Sequence, residues 1–271
     1  SKQKKEKKLI EQQQMLSLDR WAVKTADLLQ REIIKAYDDF NFHLIYQKLH
    51  NFCAVDMGAF YLDILKDRIY TMPTDSLARR SAQTAMYDIT EALVRWMAPI
   101  LSFTSEEIWR HMPGERAESV LLGEWYQGLG GHESLTLDID YWKQVKLVRD
   151  AVSKELENAR NQKVIGSALA AEVDLYCSEE MAELLGRLGD ELRFVMITSE
   201  VRIHPTGDKP ANALPAEGLE DMFLTVSASV HEKCERCWHY REDVGAVQGH
   251  ETICSRCVEN VEGGGEQRLH A

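Results

Sequence analysis

Apolar residues recur at steps of three and four from residue 15 to residue 112, and a period of two appears only after residue 170. The first pattern predicts helices and the second predicts strands. Leu18, Trp21, Ala22, Leu28, Leu29 and Ile33 line one face of a first helix. A second helix is expected from Asn41 or Phe42, carrying Leu44, Ile45, Leu49, Phe52 and Cys53. Gly58 is expected to interrupt it, AFYLDILKDRIY (59–70) to form a third, and Pro73 to stop that one. Thr74 or Asp75 is predicted to cap a long fourth helix through Leu77, Met86, Leu93, Val94 and Met97, which Pro99 ends. Thr104 and Glu107 read as a capping box before Ile108 and Trp109, and Pro113-Gly114 closes the segment. Helices joined by such short loops predict a bundle over 15–114.

Residues 115–137 are glycine-rich and irregular, and read as a linker. A helix follows from Asp138 to about Gln162, with Trp142, Val145, Val148, Val152 and Leu156 on one face. AAEVDLYC (170–177) alternates as a strand does, with Val173, Leu175 and Cys177 on one side. SEEMAELLGRLGDELRFVMI (178–197) predicts one helix with an acidic first turn. VRIH (201–204) and MFLTVSASV (222–230) predict two more strands across a loop at 205–220. Residues 138–230 are therefore expected to be a small α+β domain of three strands. The lead-in 1–14 is polar and basic, and reads as disordered or as an appended, non-native segment. No internal repeat is present.

The 271 residues, 44% of them hydrophobic, suffice for one large domain or a few small ones. No apolar run reaches membrane-spanning length and no signal peptide is recognisable, so a cytoplasmic protein without membrane contact is expected. The formal charge of −12 lies mostly in 113–230 and argues against a broad polyanion-binding face. Basic residues cluster only locally. The six cysteines are too few for a secreted disulfide scaffold. Cys53 and Cys177, isolated in apolar stretches, read as buried, unreactive thiols.

The other four carry chemistry. Cys234-Glu-Arg-Cys237 and Cys254-Ser-Arg-Cys257 are two Cys-x-x-Cys knuckles. Two residues between cysteines let a tight turn aim both sulfurs at one ion, and two such turns supply the four-thiolate shell zinc prefers. Cys234, Cys237, Cys254 and Cys257 are therefore predicted to hold one structural zinc ion within a domain at 231–262, ahead of a tail at 263–271. An iron–sulfur cluster is the chemical rival, but no apolar shell for one is visible. His239 and His250 lie between the knuckles and are expected to stay outside a shell that is already full. A full shell leaves no place for water or substrate, so the metal is not catalytic. Trp238 has two readings: the miniature core beneath the knuckle, or an RNA-contacting aromatic. Arg236, Arg241 and Arg256 are candidate RNA contacts beside it.

The chain carries no GxxxxGK[ST], GxGxxG, HExxH or GxSxG, and no catalytic residue is predicted. On residues alone it reads as a binding appendage. LDRWAV (18–23), FYLDILKDRIY (60–70), ARRSAQTAMYDI (78–89), LVRWMAPILSFTSEEIW (93–109) and GEWY (123–126) resemble the anticodon-binding helical domain of class I aminoacyl-tRNA synthetases for branched aliphatic amino acids. CERCWHY (234–240) and CSRC (254–257) are similar to the ending of the bacterial isoleucyl branch. The resemblance covers about 15–262. It lacks the HIGH-like and KMSKS-like ATP-binding signatures and the editing domain, which implies the C-terminal third of a longer enzyme.

The resemblance implies a mainly α fold: an anticodon-binding bundle, a small α+β connector and a four-cysteine zinc ribbon. It implies that the intact enzyme ligates isoleucine to its tRNA using ATP. This part would hold the anticodon stem and loop and work with the missing catalytic and editing domains, as a monomer. Lys66, Arg68, Arg79 and Arg80 are the candidate RNA contacts in the bundle, with Asp63, Asp67 and Asp75 as alternative partners for them. Trp21, Trp96 and Trp109 sit on apolar stripes and are expected in the core. The competing reading is a protein-interaction module with a zinc knob and no RNA affinity of its own.

Overall fold

In the computed structural model, residues 9–131 and 135–271 are described. The lead-in expected at 1–14 therefore falls partly outside the described residues. Its remainder is anchored: the Ile10 amide donates to Thr84 Oγ1 and the Gln12 side chain to the Gly128 carbonyl. The chain divides into two compact units, residues 1–63 with 74–138 and residues 64–73 with 139–271.

The first unit grows from the apolar stripes. α1 (Ser17–Asp38) buries Leu18, Trp21, Ala22 and Ile33, and α2 (Phe42–Asn51) starts where Asn41 caps the Leu44 amide. Gly58 does not interrupt the next stretch. A π-helical segment, Phe52–Leu62, carries the chain past it, and the Gly58 α-carbon lies so near the Cys53 carbonyl that a Cβ would stand 3.0 Å from that oxygen. The wider turn also rotates Cys53 off the apolar face: it is exposed, whereas Cys177 is buried as expected. α3 (Asp63–Thr71) belongs to the second unit from Ile64 on; in the first unit, α4 (Leu77–Met97) is capped by Ser76, whose hydroxyl accepts from the Arg79 amide, and not by Thr74 or Asp75. α5 (Ser102–His111) begins before the expected capping box, because the amides of Ile100 and Leu101 both turn back onto the Met97 carbonyl. Thr104 and Glu107 thus lie inside it.

α1 and α4 run parallel. Leu16 and Asp19 meet Ser81 at one end, while Gln30 and Tyr37 meet Trp96 at the other. Trp21, Trp96 and Trp109 are core. The stretch after α5 is pinned down: Trp109 donates to the Ala117 carbonyl, Glu106 accepts from the Val120 amide, and the Tyr126 hydroxyl donates to Asp88. The guanidiniums of Arg95 and Arg116 lie over the Trp109 ring, at 4.7 and 4.5 Å from its centroid.

In the second unit, α6 (Ile139–Asn161) buries Trp142, Val145, Val148 and Val152. β1 (Ala171–Cys177) is followed by α7 (Glu179–Gly186) and the short α8 (Leu192–Met196), not by one long helix. The break falls where Gly189 adopts φ +54°, a conformation that a helix cannot continue through. β2 (Glu200–Pro205) then pairs parallel to β1, and β4 (Phe223–Ala228) pairs antiparallel on its other side. A fourth strand, β3 (Leu214–Pro215), lies in the stretch expected to be loop and gives the order β2-β1-β4-β3. Val173 and Leu175 are fully buried on one sheet face. On the opposite face, Arg202 bridges Glu172 and Asp174, and His204 lies 2.7 Å from Asp174. No helix among the described residues is long and apolar enough to cross a membrane.

Candidate metal centre and nucleic-acid interface

The two Cys-x-x-Cys turns organise the last part of the second unit. β5 (Glu232–Lys233) and β6 (Tyr240–Arg241) form a short antiparallel ladder around the first knuckle. The Cys234 amide donates to the His239 carbonyl and the Trp238 amide to the Cys234 carbonyl. Closing the turn this way forces Trp238 to φ +68°, a left-handed conformation costly for a bulky residue. The second knuckle runs into α9 (Ser255–Glu262), whose first amide, at Ser255, donates to Asp243.

These turns bring Cys234, Cys237, Cys254 and Cys257 together, all buried, with the four sulfurs within 4.8 Å of one another. The Cys234–Cys257 and Cys237–Cys254 sulfur separations are 3.7 and 3.8 Å. A tetrahedral ion with Zn–S bonds of about 2.3 Å has sulfur–sulfur edges of about 3.8 Å, so the donor set fits zinc. The Cys254 amide and an Arg236 guanidinium nitrogen approach sulfur at 3.4 and 3.8 Å, contacts that would offset the excess negative charge of four thiolates around a divalent ion. His239 and His250 stay outside the cluster. His239 is 2% exposed, packed edge-on against Phe194, and His250 pairs with Glu262 at 3.0 Å.

Beside the sulfurs lies a buried ionic core. Asp67 on α3 accepts from Arg256 on α9 at 2.8 and 2.9 Å, and also from Arg268 in the tail. Burial by itself would raise the Asp67 carboxyl, but the Arg256 and Arg268 guanidiniums hold it well below the usual carboxylate range. Glu266 accepts from both arginines. Phe194 supplies a ring with Arg268 at 3.5 Å, Arg193 at 4.0 Å and Arg256 at 5.0 Å. Glu191 accepts from the amides of Leu269, His270 and Ala271, which fastens the tail.

The candidate RNA contacts separate by exposure. Arg68 is fully buried, and the Arg256 side chain is 12% exposed within the ionic core, so neither offers its charge to a ligand. The Arg256 guanidinium sits in an ion-paired core, already desolvated and satisfied, and Arg68 is buried on the apolar face of α3 with Ile64 and Leu65, which explains the difference from expectation. Arg80 pairs with Asp75 at 2.9 Å, one of the alternative partners foreseen for it, and Arg79 is half-buried in the first turn of α4. Arg241 pairs with Glu200 at 2.9 Å and donates to the Ser199 carbonyl. Lys66 is exposed on α3. Trp238 is 60% exposed and is therefore not the miniature core; Lys233 reaches over its ring at 5.4 Å, and half-buried Arg236 stands two residues before it.

Asp67, Phe194, Glu266 and Arg268 were not legible as site residues. Asp67 and Arg256 are 189 positions apart, and no spacing rule links them. The burial of Arg68 did have a signal, since it follows Ile64 by four and Leu65 by three and so shares their apolar face.

Two family profiles match the chain. The anticodon-binding domain of tRNA ligase covers residues 19–175, and the zinc finger found in FPG and IleRS covers residues 232–260. An isoleucine–tRNA ligase of Nitrosococcus oceani is 57% identical over 258 residues, which is 95% of this chain and 27% of that protein. The isoleucine–tRNA ligases of Halorhodospira halophila and Azotobacter vinelandii are 57% and 55% identical over 96% and 98% of this chain. The chain thus spans little more than a quarter of the length of these relatives, 27–28%.

Proposed function

The chain belongs to the family of anticodon-binding domains of tRNA ligases, and on that premise we propose that it holds the anticodon stem and loop of an isoleucine tRNA for a longer isoleucine–tRNA ligase. Activation of isoleucine with ATP and its transfer to tRNA would take place in catalytic parts outside this chain. Gripping the anticodon arm would convert binding energy from a remote part of the substrate into positioning of the acceptor end. One zinc ion on Cys234, Cys237, Cys254 and Cys257 would supply folding energy to the knob and no chemistry. The setting is the cytoplasm, and the protein acts as a monomer.

The observation that carries this reading is Trp238. An indole held out at 60% exposure on a rigid knuckle, with Lys233 over its ring and Arg236 beside it, suits an unstacked RNA base flanked by phosphates. Lys66, Arg79, Arg80 and Arg241 are secondary contacts, the last two after exchange of a carboxylate partner for phosphate.

The test is fluorescence anisotropy of the zinc-loaded chain with a labelled isoleucine-tRNA anticodon hairpin at several salt concentrations. Affinity should fall linearly with log salt, a hairpin with an exchanged anticodon should bind more weakly, and Trp238→Ala should weaken binding by about tenfold. No binding at low salt overturns independent RNA binding by this chain. One observation favours the competing protein-docking reading: Phe103, Leu122 and Leu121 are 93%, 71% and 62% exposed in the first unit. A chain that binds no hairpin but binds the separately produced remainder of the ligase would move the role there.

A further inference from the structure

α3 carries an exposed aromatic that the knuckle chemistry does not explain by itself. Ile64, Leu65, Arg68 and Thr71 form its buried face. Helical geometry puts Lys66 and Tyr70, four residues apart, together on the opposite face. Tyr70 is 79% exposed. A tyrosine displayed this way gains nothing from burial.

The position of this face relative to the knob follows from Asp67. Asp67 grips Arg256 on α9 and Arg268 in the tail, and its Oδ1 lies 3.9 Å from His239 Nδ1. Further along, Pro73 closes against Gly265, where a Cβ would stand 3.0 Å from the proline ring. α3 is therefore bound to the zinc-bearing part at two places within one compact unit. Tyr70 follows Asp67 by three residues, so it borders the side of the helix that faces the knob. Trp238 precedes His239 in the chain; the histidine points in, at 2% exposure, and the tryptophan points out. Tyr70, with Lys66 one helical turn before it, stands on one side of the Asp67 clamp, and Trp238, with Lys233 over its ring, on the other, both on one locked framework.

Aromatics and cations are the elements of single-stranded nucleic-acid binding, in which rings stack bases and cations hold phosphates. We infer that Tyr70, with Lys66 beside it, is a second base-stacking platform, joined to Trp238 through the buried Asp67–Arg256 pair to form one binding edge for an unpaired RNA loop. This inference rests on the reading of Trp238 as an RNA contact. Asp67 acts as a positioning residue: it touches no RNA and fixes the separation between the platforms.

The experiment uses the full zinc-loaded chain and the anticodon hairpin with 2-aminopurine substituted at each loop position in turn. Tyr70→Ala should weaken binding by about tenfold, Tyr70→Phe should leave it within about twofold, and Trp238→Ala serves as the reference. In the wild type and Tyr70→Phe, 2-aminopurine should be quenched at two different loop positions. Tyr70→Ala should restore fluorescence at one and Trp238→Ala at the other. Because Tyr70 is exposed, thermal unfolding should be unchanged in both variants. Loss of affinity in Trp238→Ala with none in Tyr70→Ala overturns this inference and leaves the knuckle reading intact. No loss in either variant, or no binding by the wild type, overturns both. An equal loss in Tyr70→Ala and Tyr70→Phe overturns stacking as its role.

Discussion

In the first unit the buried carboxylate of Asp19 accepts from the hydroxyls of Tyr61 and Ser81, and in the second the buried Asp67 is clamped by Arg256 and Arg268. The first unit surrounds its polar link with long amphipathic helices and three core tryptophans. Its hydrogen bonds need only satisfy groups that the apolar core has already removed from water. The last third of the second unit has little apolar material of its own: among the described residues, the hydrophobics packed against its four cysteines are Val244 and Ile253. Charge pairing orders it instead, and a metal on the four thiols would add to that order. The two regions should therefore fail in different ways and under different conditions.

The largest difference should follow metal removal. Structural zinc contributes on the order of 10 kcal/mol in small cysteine-rich domains. Chelation or Cys254→Ser should abolish amide protection across residues 231–262 while α1 and α4 keep theirs, as read by hydrogen exchange. Retained protection in the knob would show that the ionic core suffices alone and would erase the contrast.

Next in size is the clamp itself. Asp67→Ala removes one of the two carboxylates that Arg256 and Arg268 share, leaving Glu266 alone to face both guanidiniums, and should cost about 3–5 kcal/mol. Asp19→Ala takes the acceptor from the Tyr61 and Ser81 hydroxyls, and that loss should cost about 1–3 kcal/mol. Urea unfolding followed by probes in each unit checks both values. Equal costs would mean that the arginines find other partners.

Acid should also separate the regions. Asp67 has a lowered carboxyl pKa, because its arginines outweigh burial. Its contribution is present above the ordinary carboxylate range and is lost only as pH falls below it. Glu91 in the first unit is lowered too, with burial opposed by Tyr87, Arg95 and Arg116. Cysteine ligands compete with protons for zinc at higher pH than either carboxylate titrates. An acid titration of the zinc-loaded chain should therefore release metal, read with a zinc dye, before the helical signal of the first unit changes. Coincident transitions would show one cooperative system.

The smallest effect should come from a solvated pair. Arg31 pairs with Asp27 at 2.8 Å but is 65% exposed. Arg31→Ala should shift stability by no more than about 0.5 kcal/mol and leave the unfolding of the second unit unchanged.

Much of this protein was legible along the chain because the signals are local. Apolar period placed α1, α4 and α6, and the Cys-x-x-Cys spacing identified the four sulfurs that converge, since both depend on neighbours within a few residues. Local signals were weaker at boundaries. Ser76 won the cap from Thr74 and Asp75, and Gly58 was absorbed by a π turn where a break was expected.

What the sequence determined by itself was the long helices α1, α4 and α6, the strands β1, β2 and β4, and which four thiols come together. What only the tertiary structure decided was the use of the charges. Arg68 and Arg256 are residues of the type that contacts RNA, yet Arg68 is buried and Arg256 is held at 12% side-chain exposure, while Tyr70 and Trp238, two aromatics that propensity would send inward, stand exposed. Asp67 belongs to a helical stretch in the sequence and to the metal-bearing unit in space. The reason is physical: an arginine is a contact or a strut depending on whether a carboxylate meets it in the fold, and for Arg256 that carboxylate comes from 189 residues away.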